Sequence, residues 1–166
     1  MGKESDRFVW KRKISYKDKK SLDRTVQQNI KMKKDLKRLG LNLENSIIIG
    51  SGILQALGIR KNKDIDLVVT QEVYNSLKNS GKFTVSENHG RETLKENVFE
   101  IGTDWIVLGK SYKFEDLIKQ SLIIEGIRYI TLDFLYEVKK SCTSGKDVRG
   151  KDIEDVKLIE NYLSEL

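Results

Sequence analysis

The feature that most limits the fold of this chain is a short apolar run that stops abruptly at a glycine. Ser46–Ile49 is too brief for a helix and is followed directly by Gly50, which predicts a buried strand. Asp64–Thr70 alternates and is rich in β-branched residues, which predicts a second strand. Between them, Ser51–Leu57 is predicted as a helix that Gly58 ends. A strand, a helix and a strand so close together indicate a sheet with helices packed on it.

The rest of the chain continues this alternation. Further strands are predicted over Lys82–Glu87, Val98–Ile101 and Asp104–Leu108, paired as hairpins through His89-Gly90 and Gly102-Thr103. Further helices are predicted over Gln71–Asn79, Phe114–Ser121, Leu132–Ser141 and Ile153–Leu163, with another hairpin across Glu125-Gly126. The sequence contains no internal repeat. The predicted fold class is therefore α+β, a small mixed sheet with flanking helices.

The composition excludes several classes of site. The 166 residues include one histidine, His89, and one cysteine, Cys142, which excludes zinc sites built from several such residues. A lone cysteine forms no internal disulfide and predicts a reducing, cytoplasmic location. Because no run of about 18 apolar residues exists and the first residues lack the apolar stretch of a secretory signal, neither a membrane span nor export is expected. Chemistry is left to carboxylates, lysines and hydroxyls.

Positive charge is concentrated in the first 40 residues. They hold 14 Lys and Arg against 5 Asp and Glu, a balance of +9, whereas the remaining residues hold 17 against 20, a balance of −3. Residues 1–20 show no sustained period and are expected to form a mobile or loosely docked lead-in. Ser21–Gly40 predicts a helix with a narrow apolar stripe and a basic outer face, formed by Lys31, Lys34, Lys37 and Arg38.

Two interpretations of this basic region remain open. It is typical of a segment that contacts the phosphates of a nucleic acid such as RNA or tRNA, and also of a solvated helix that maintains solubility. Residues 1–45 are accordingly assigned to a basic N-terminal arm and helix, and residues 46–166 to the main domain.

The candidate chemistry lies where the first two strands meet. Asp64 and Asp66 are two residues apart in a predicted strand, which places them on one face, about 6.5–7 Å apart along the chain. Two like charges on one face repel each other unless a cation lies between them, and Mg²⁺ prefers such oxygen ligands. Gly50-Ser51 comes where a strand turns into a helix, so backbone N–H groups can meet a phosphate there. This combination predicts metal-assisted transfer of a nucleotidyl or phosphoryl group.

At these residues the sequence resembles the nucleotidyltransferase superfamily, which has the DNA polymerase beta–like fold. The signature is an apolar strand, Gly-Gly or Gly-Ser, a spacer of about ten residues, and then Asp, an apolar residue and Asp or Glu. Here Gly50-Ser51 is followed after twelve residues by Asp64-Ile65-Asp66. The resemblance extends over roughly residues 46–163 and includes the closing segment Arg149–Asp155.

The resemblance implies roles for acidic residues. Asp64 and Asp66 would hold one or two Mg²⁺ ions that bridge the triphosphate of a nucleoside triphosphate. A third acid on a neighbouring strand would serve the second ion and activate the attacking hydroxyl. Glu100 is the candidate because it alternates with apolar neighbours, and Asp104 is the competitor. The implied reaction is in-line attack by an acceptor hydroxyl on the α-phosphate, with release of pyrophosphate.

The resemblance also implies roles for nucleotide-binding residues. Ser51, with backbone N–H groups at Gly50, would grip the terminal phosphates, and Lys151 or Arg149 would reach them. Lys61 and Lys63, just before Asp64, are further candidates. A solvated loop is the competing interpretation of Lys63.

The residues that follow Lys151 also have two interpretations. Asp152 and Asp155 lie three apart at a helix start, where acids favour the helix dipole. This predicts a cap on a surface helix, although both residues belong to the segment that carries the family resemblance.

The function predicted is Mg²⁺-dependent transfer of a nucleoside monophosphate group from a nucleoside triphosphate to an acceptor hydroxyl on RNA, tRNA or a protein. The alternative is an inactive module with the same fold that binds RNA or a protein partner, as a regulatory or antitoxin-like subunit would.

Overall fold

The computed structural model describes residues 16–88 and 90–166, with side chains from residue 24 onward. Residues 1–15 of the predicted lead-in and the turn residue His89 lie outside this range. The helices are α1 (Tyr16–Arg38), α2 (Gly52–Ala56), α3 (Gln71–Asn79), α4 (Phe114–Leu117, continued by the 3₁₀ helix Ile118–Gln120), α5 (Leu132–Cys142) and α6 (Gly150–Ser164). The strands are β1 (Ser46–Ile49), β2 (Ile65–Val69), β3 (Thr84–Asn88), β4 (Arg91–Glu96), β5 (Phe99–Gly102), β6 (Asp104–Val107), β7 (Lys110–Lys113), β8 (Ser121–Ile124) and β9 (Ile127–Ile130).

Seven of the described strands form one mixed sheet in the order β3-β4-β5-β2-β1-β9-β8. The pairs β2–β5 and β1–β9 are parallel, and the other pairs in this sheet are antiparallel. A separate hairpin is formed by β6 and β7. Helices pack against the mixed sheet, so the predicted α+β class is confirmed. No helix in the described ranges is long and apolar enough to cross a membrane.

The core is built mainly from the central strands. Ile47, Ile48, Leu67 and Ile101 are almost completely buried, together with residues from α2, α4 and α5. The first helix joins the same core through Met32 and Leu36. The proposed division of the chain at residue 45 stays a prediction.

Three predictions about elements need correction. The first helix already begins at Tyr16, so residues 16–20 are helical rather than part of a loose lead-in. The strand β4 was not predicted, because Leu94 is its only large apolar residue, yet it pairs on both sides, with β3 and β5. The helix predicted over Phe114–Ser121 gives way to a 3₁₀ turn, since Ser121 already belongs to β8.

The predicted hairpin through Gly102-Thr103 is also wrong. The strand before it, β5, pairs with β2 and β4, while β6 pairs with β7. The turn that forms instead contains Leu108 and Gly109, both with positive φ (55° and 69°). Positive φ at both central residues matches the twist of a two-residue hairpin, which explains why the chain reverses there.

Candidate active site

Two carboxylates are brought side by side by strand pairing. In the parallel pair β2–β5, Asp66 lies directly opposite Glu100. Neighbouring strands are about 4.8 Å apart, and paired residues point to the same face of the sheet. Both side chains are half-buried. Asp64 precedes β2, is exposed, and accepts a hydrogen bond at its backbone oxygen from Asn62 Nδ2 at 2.7 Å.

The glycine turn after β1 touches the same carboxylate. Ile49, the last residue of β1, is paired with Asp66, so the chain leaves the sheet beside this acid. Gly50 has a φ of 61°, and a Cβ at this position would lie 3.4 Å from Asp66 Oδ2. Ser51 follows at the N-cap of α2, and its side chain makes no capping hydrogen bond. The structure therefore places Gly50 next to Asp66, and Ser51 follows directly in the chain.

The electrostatics of Asp66 reflect this crowding. Burial raises its pKa to about 6, with further contributions from the charges of Glu100 and Asp64. Arg91 and Lys151 act in the opposite direction, which shows that both cations are within electrostatic range of Asp66. A cation at this position would relieve the repulsion among the acids.

The two candidates for the third acid occupy different surroundings. Glu100 accepts hydrogen bonds from neutral donors, Thr93 Oγ1 at 3.1 Å and Asn88 Nδ2 at 3.4 Å. Asp104 is instead bound by Arg91, whose Nε lies 2.7 Å from Oδ1, and by Ser111 Oγ at 2.9 Å. Arg91 also donates to the backbone oxygen of Asp104. The strand register thus brings Glu100, rather than Asp104, beside Asp66.

The two candidate lysines lie in different parts of the chain. Lys63 is exposed in the loop before β2, adjacent in sequence to Asp64. Lys151 is exposed in the first turn of α6. Within the described residues, neither lysine forms an ion pair that would occupy its ammonium group.

The prediction that Asp152 and Asp155 cap a surface helix is wrong. Both are buried, at 2% and 1% of their accessible surface. Lys139 lies between them, with Nζ 2.8 Å from Asp152 Oδ1 and 3.1 Å from Asp155 Oδ2. Arg60 binds Asp155 through two hydrogen bonds of 2.6 and 2.8 Å. The helix α6 is held by ion pairs that the local sequence pattern did not indicate.

Two nearby cations were missed by sequence reasoning for separate reasons. Arg91 belongs to β4, which was not predicted, so nothing placed it beside the acidic strands. Arg60 lies 95 positions from its partner Asp155, a separation at which no local spacing rule applies. The sequence offered one signal for such partners, which was the pair of acids three residues apart, Asp152 and Asp155, at the start of α6.

The acids fit a magnesium ion that shares its coordination with a substrate. No group of three or more His, Cys, Asp and Glu side chains in the described ranges is close enough together to hold a metal ion by itself. Mg²⁺, however, is commonly held by one or two carboxylates while phosphates and water supply the remaining ligands. Asp66 and Glu100 provide such a pair.

Two surface cavities lie elsewhere. The first, of about 410 Å³, is lined by residues that include Tyr112, Asp133 and Phe134. The second, of about 660 Å³, is lined by residues that include Asn45, Thr70 and Glu115. Neither is lined by the acids of β2 and β5.

Comparison with known proteins gives similarity at the level of structure. No family model matches the chain, and no curated protein matches it. A crystal structure of ANT(2″)-Ia in complex with adenylyl-2″-tobramycin is 16% identical, with a TM-score of 0.47, over 72% of this chain and 79% of that one. A solution structure of the antibiotic-resistance factor ANT(2″)-Ia is 18% identical, with a TM-score of 0.47, over 72% and 75% of the respective chains.

Proposed function

We propose that the protein is a Mg²⁺-dependent nucleotidyltransferase that moves a nucleoside monophosphate group from a nucleoside triphosphate to an acceptor hydroxyl. The observation that carries this proposal is the placement of Asp66 beside both Glu100 and Gly50. It combines a pair of acids suited to magnesium with a glycine turn suited to phosphate, at one end of the central strands.

The acids have separate tasks in this reaction. Asp66 and Glu100, with Asp64 at the edge, would hold Mg²⁺, which when bound neutralises charge on the triphosphate. Glu100 would also accept the proton of the attacking hydroxyl, and the donors that bind it, Asn88 and Thr93, are both neutral. The acceptor oxygen forms a bond to the α-phosphorus as the bond to the bridging oxygen breaks, and pyrophosphate leaves.

The phosphates would be bound on the side of Asp66 that faces β1, whereas Glu100 lies on the side of β5. The backbone at Gly50 approaches closely because no Cβ intervenes, and the Ser51 hydroxyl is free to donate to a phosphate oxygen. Lys151 would supply positive charge from the first turn of α6, and Lys63 from the loop before β2. Uncompensated lysines next to an acid cluster suit a ligand that is itself a metal-bound anion.

Transfer of label from an α-labelled nucleoside triphosphate tests the assignment. Wild-type protein with Mg²⁺ is expected to label an acceptor, and Asp66→Ala or Glu100→Gln to lower the rate at least about a hundredfold. Asp104→Asn is the matched control, since Asp104 is already bound by Arg91, and it is expected to retain most activity. Undiminished transfer by Asp66→Ala would contradict the assignment.

Calorimetry separates this function from the inactive-module alternative. An enzyme of this kind should bind a nucleoside triphosphate only when Mg²⁺ is present, and chelation should abolish the signal. A module that retains only the fold should show no metal-dependent nucleotide binding.

For the acceptor we propose RNA, bound along the basic face of α1. Lys31, Lys34 and Lys37 are exposed on this helix, as predicted. Arg38 is exposed as well, as predicted, and it also binds Glu96 of β4 through hydrogen bonds of 3.0 and 3.2 Å. Three exposed lysines on one helix provide a surface that binds phosphates, and its affinity for RNA should fall as the salt concentration rises. Labelling of a protein rather than of RNA would reject this choice of acceptor and leave the transfer reaction itself standing.

A further inference from the structure

The first two turns of α6 are attached to the molecule by charge rather than by apolar contacts. The fully buried residues of this helix are Asp152, Asp155 and, one turn later, Ile159. Apolar packing tolerates small rotations and shifts, whereas hydrogen-bonded ion pairs have preferred directions. The position of the start of α6 is therefore determined by the partners of its two acids.

These partners come from three parts of the chain. Lys139 of α5 bridges both acids, and Arg60 grips Asp155 with both ends of its guanidinium group. Arg149, largely exposed, adds bonds of 3.0 and 3.3 Å to Asp152. Burial alone would raise the pKa of each acid, but hydrogen bonds from these cations outweigh it and lower both pKa values. Both acids therefore remain ionised.

Arg60 connects α6 to the loop that leads into β2, the strand of Asp66. This loop runs from the end of α2, which begins after Ser51, to Asp64, the residue before β2. Arg60 also donates to the backbone oxygen of Lys61 at 2.9 Å, and Asn62 N donates to Gln55 Oε1 at 3.0 Å. The loop is thus a structured connection, and the bond from Arg60 to Asp155 joins it to α6.

Lys151 lies next to the buried acid Asp152 and within electrostatic range of Asp66. We propose that Arg60, acting through Asp155, positions Lys151 so that its ammonium group meets the phosphates of the nucleotide. Arg60 is a positioning residue in this arrangement and does not itself touch the ligand. The inference rests on the proposed function, because it takes Lys151 as a phosphate ligand.

Calorimetric titration of the full-length chain with inorganic tripolyphosphate and Mg²⁺ tests this role without requiring catalysis. The variants are Arg60→Lys, Lys151→Ala and the double variant. Each single variant is expected to weaken binding about tenfold, and the double variant to be no weaker than Lys151→Ala alone. Arg128→Lys is the control, because Arg128 makes comparable bonds to Leu43 O and Ser121 Oγ, both 2.9 Å, away from α6.

Thermal unfolding of each variant separates positioning from loss of fold. Arg60→Lys and Arg128→Lys are both expected to lower the melting temperature, but only Arg60→Lys should weaken tripolyphosphate binding. Asp155→Asn serves as a second probe and should also act only when Lys151 is present. Additive weakening in the double variant, an unchanged affinity in Arg60→Lys, or absence of binding by the wild type would each overturn the proposal. Intact binding without nucleotidyl transfer would count against the proposed function alone.

Discussion

Asp66 illustrates how one residue is placed against its own electrostatic preference. Its side chain is half-buried beside two other acids, and its pKa rises from 3.8 to about 6. The folded protein therefore holds this proton more tightly than the unfolded chain does. Ionisation of Asp66 therefore lowers the free energy of unfolding. This loss is absent below about pH 4, grows between about pH 4 and 6, and is complete above about pH 6.

Replacing this acid with its amide should therefore stabilise the protein. Asp66→Asn is expected to raise the free energy of unfolding by about 1–2 kcal/mol at pH 8, a value reduced for partial exposure, and to change it little at pH 4. Urea unfolding without divalent metal at both pH values measures this. Asp104→Asn, which loses an ion pair with Arg91, should bring no such gain. A destabilised Asp66→Asn at pH 8 would contradict the account of crowding.

Gly52 is a second residue whose identity the fold requires. A Cβ at Gly52 would overlap Ile48 Cγ2, and Ile48 is buried in β1, so the side chain cannot easily move away. Gly52→Ala is expected to cost about 2–3 kcal/mol in the free energy of unfolding. Gly150→Ala is the matched control, because Gly150 is likewise the first residue of a helix and has nothing within 4 Å of its Cβ position. Equal stability of the two variants would contradict the close contact between Gly52 of α2 and Ile48 of β1.

At the scale of elements, α6 depends on the lysine that bridges its two acids. Lys139→Met leaves buried Asp152 and Asp155 with less compensation and is expected to cost about 3–5 kcal/mol near neutral pH. Because the pKa values of both acids are lowered in the folded state, this stabilisation is present above about pH 4 and is lost as the pH falls further.

Chemical denaturation at pH 7 and at pH 3 measures this dependence. The difference between wild type and Lys139→Met should shrink at the lower pH. Lys140→Met is the control, since the exposed Lys140 lies 5.3 Å from the centre of the Tyr136 ring and makes no bond to the buried acids. A cost in Lys139→Met that is the same at both pH values would indicate lost packing rather than lost charge compensation.

At the scale of the whole molecule, the uneven distribution of charge is the property to test. If RNA binds along α1, log Kobs should fall linearly with log salt, and replacing Lys31, Lys34 and Lys37 with glutamine should reduce the slope by about 2 for single-stranded RNA. Fluorescence anisotropy with a labelled oligonucleotide measures the slope. The control replaces Lys119, Lys146 and Lys157, equally exposed, with the same change in net charge. Equal slopes for the two triple variants would remove α1 from this role.

Much of the fold follows from local patterns. The strand β1 and the helix α3 have the predicted bounds, because an apolar run ended by glycine and a helix capped by Thr70 are signals carried by adjacent residues. The strand β4 was missed because its own residues show no apolar alternation. It forms because it pairs with β3 on one side and β5 on the other. Strand formation there is decided by neighbours, not by propensity.

The candidate site divides along the same line. By itself the sequence predicted that Asp64 and Asp66 share one face, because they are two residues apart in a strand, and that Gly50 and Ser51 form the turn from a strand into a helix. Only the tertiary structure showed that Glu100, rather than Asp104, lies opposite Asp66, through the register of β5 on β2, and only it paired Arg60 with Asp155. Register and long-range ion pairs depend on how distant segments pack, and residues nearly a hundred positions apart leave no local trace of that contact.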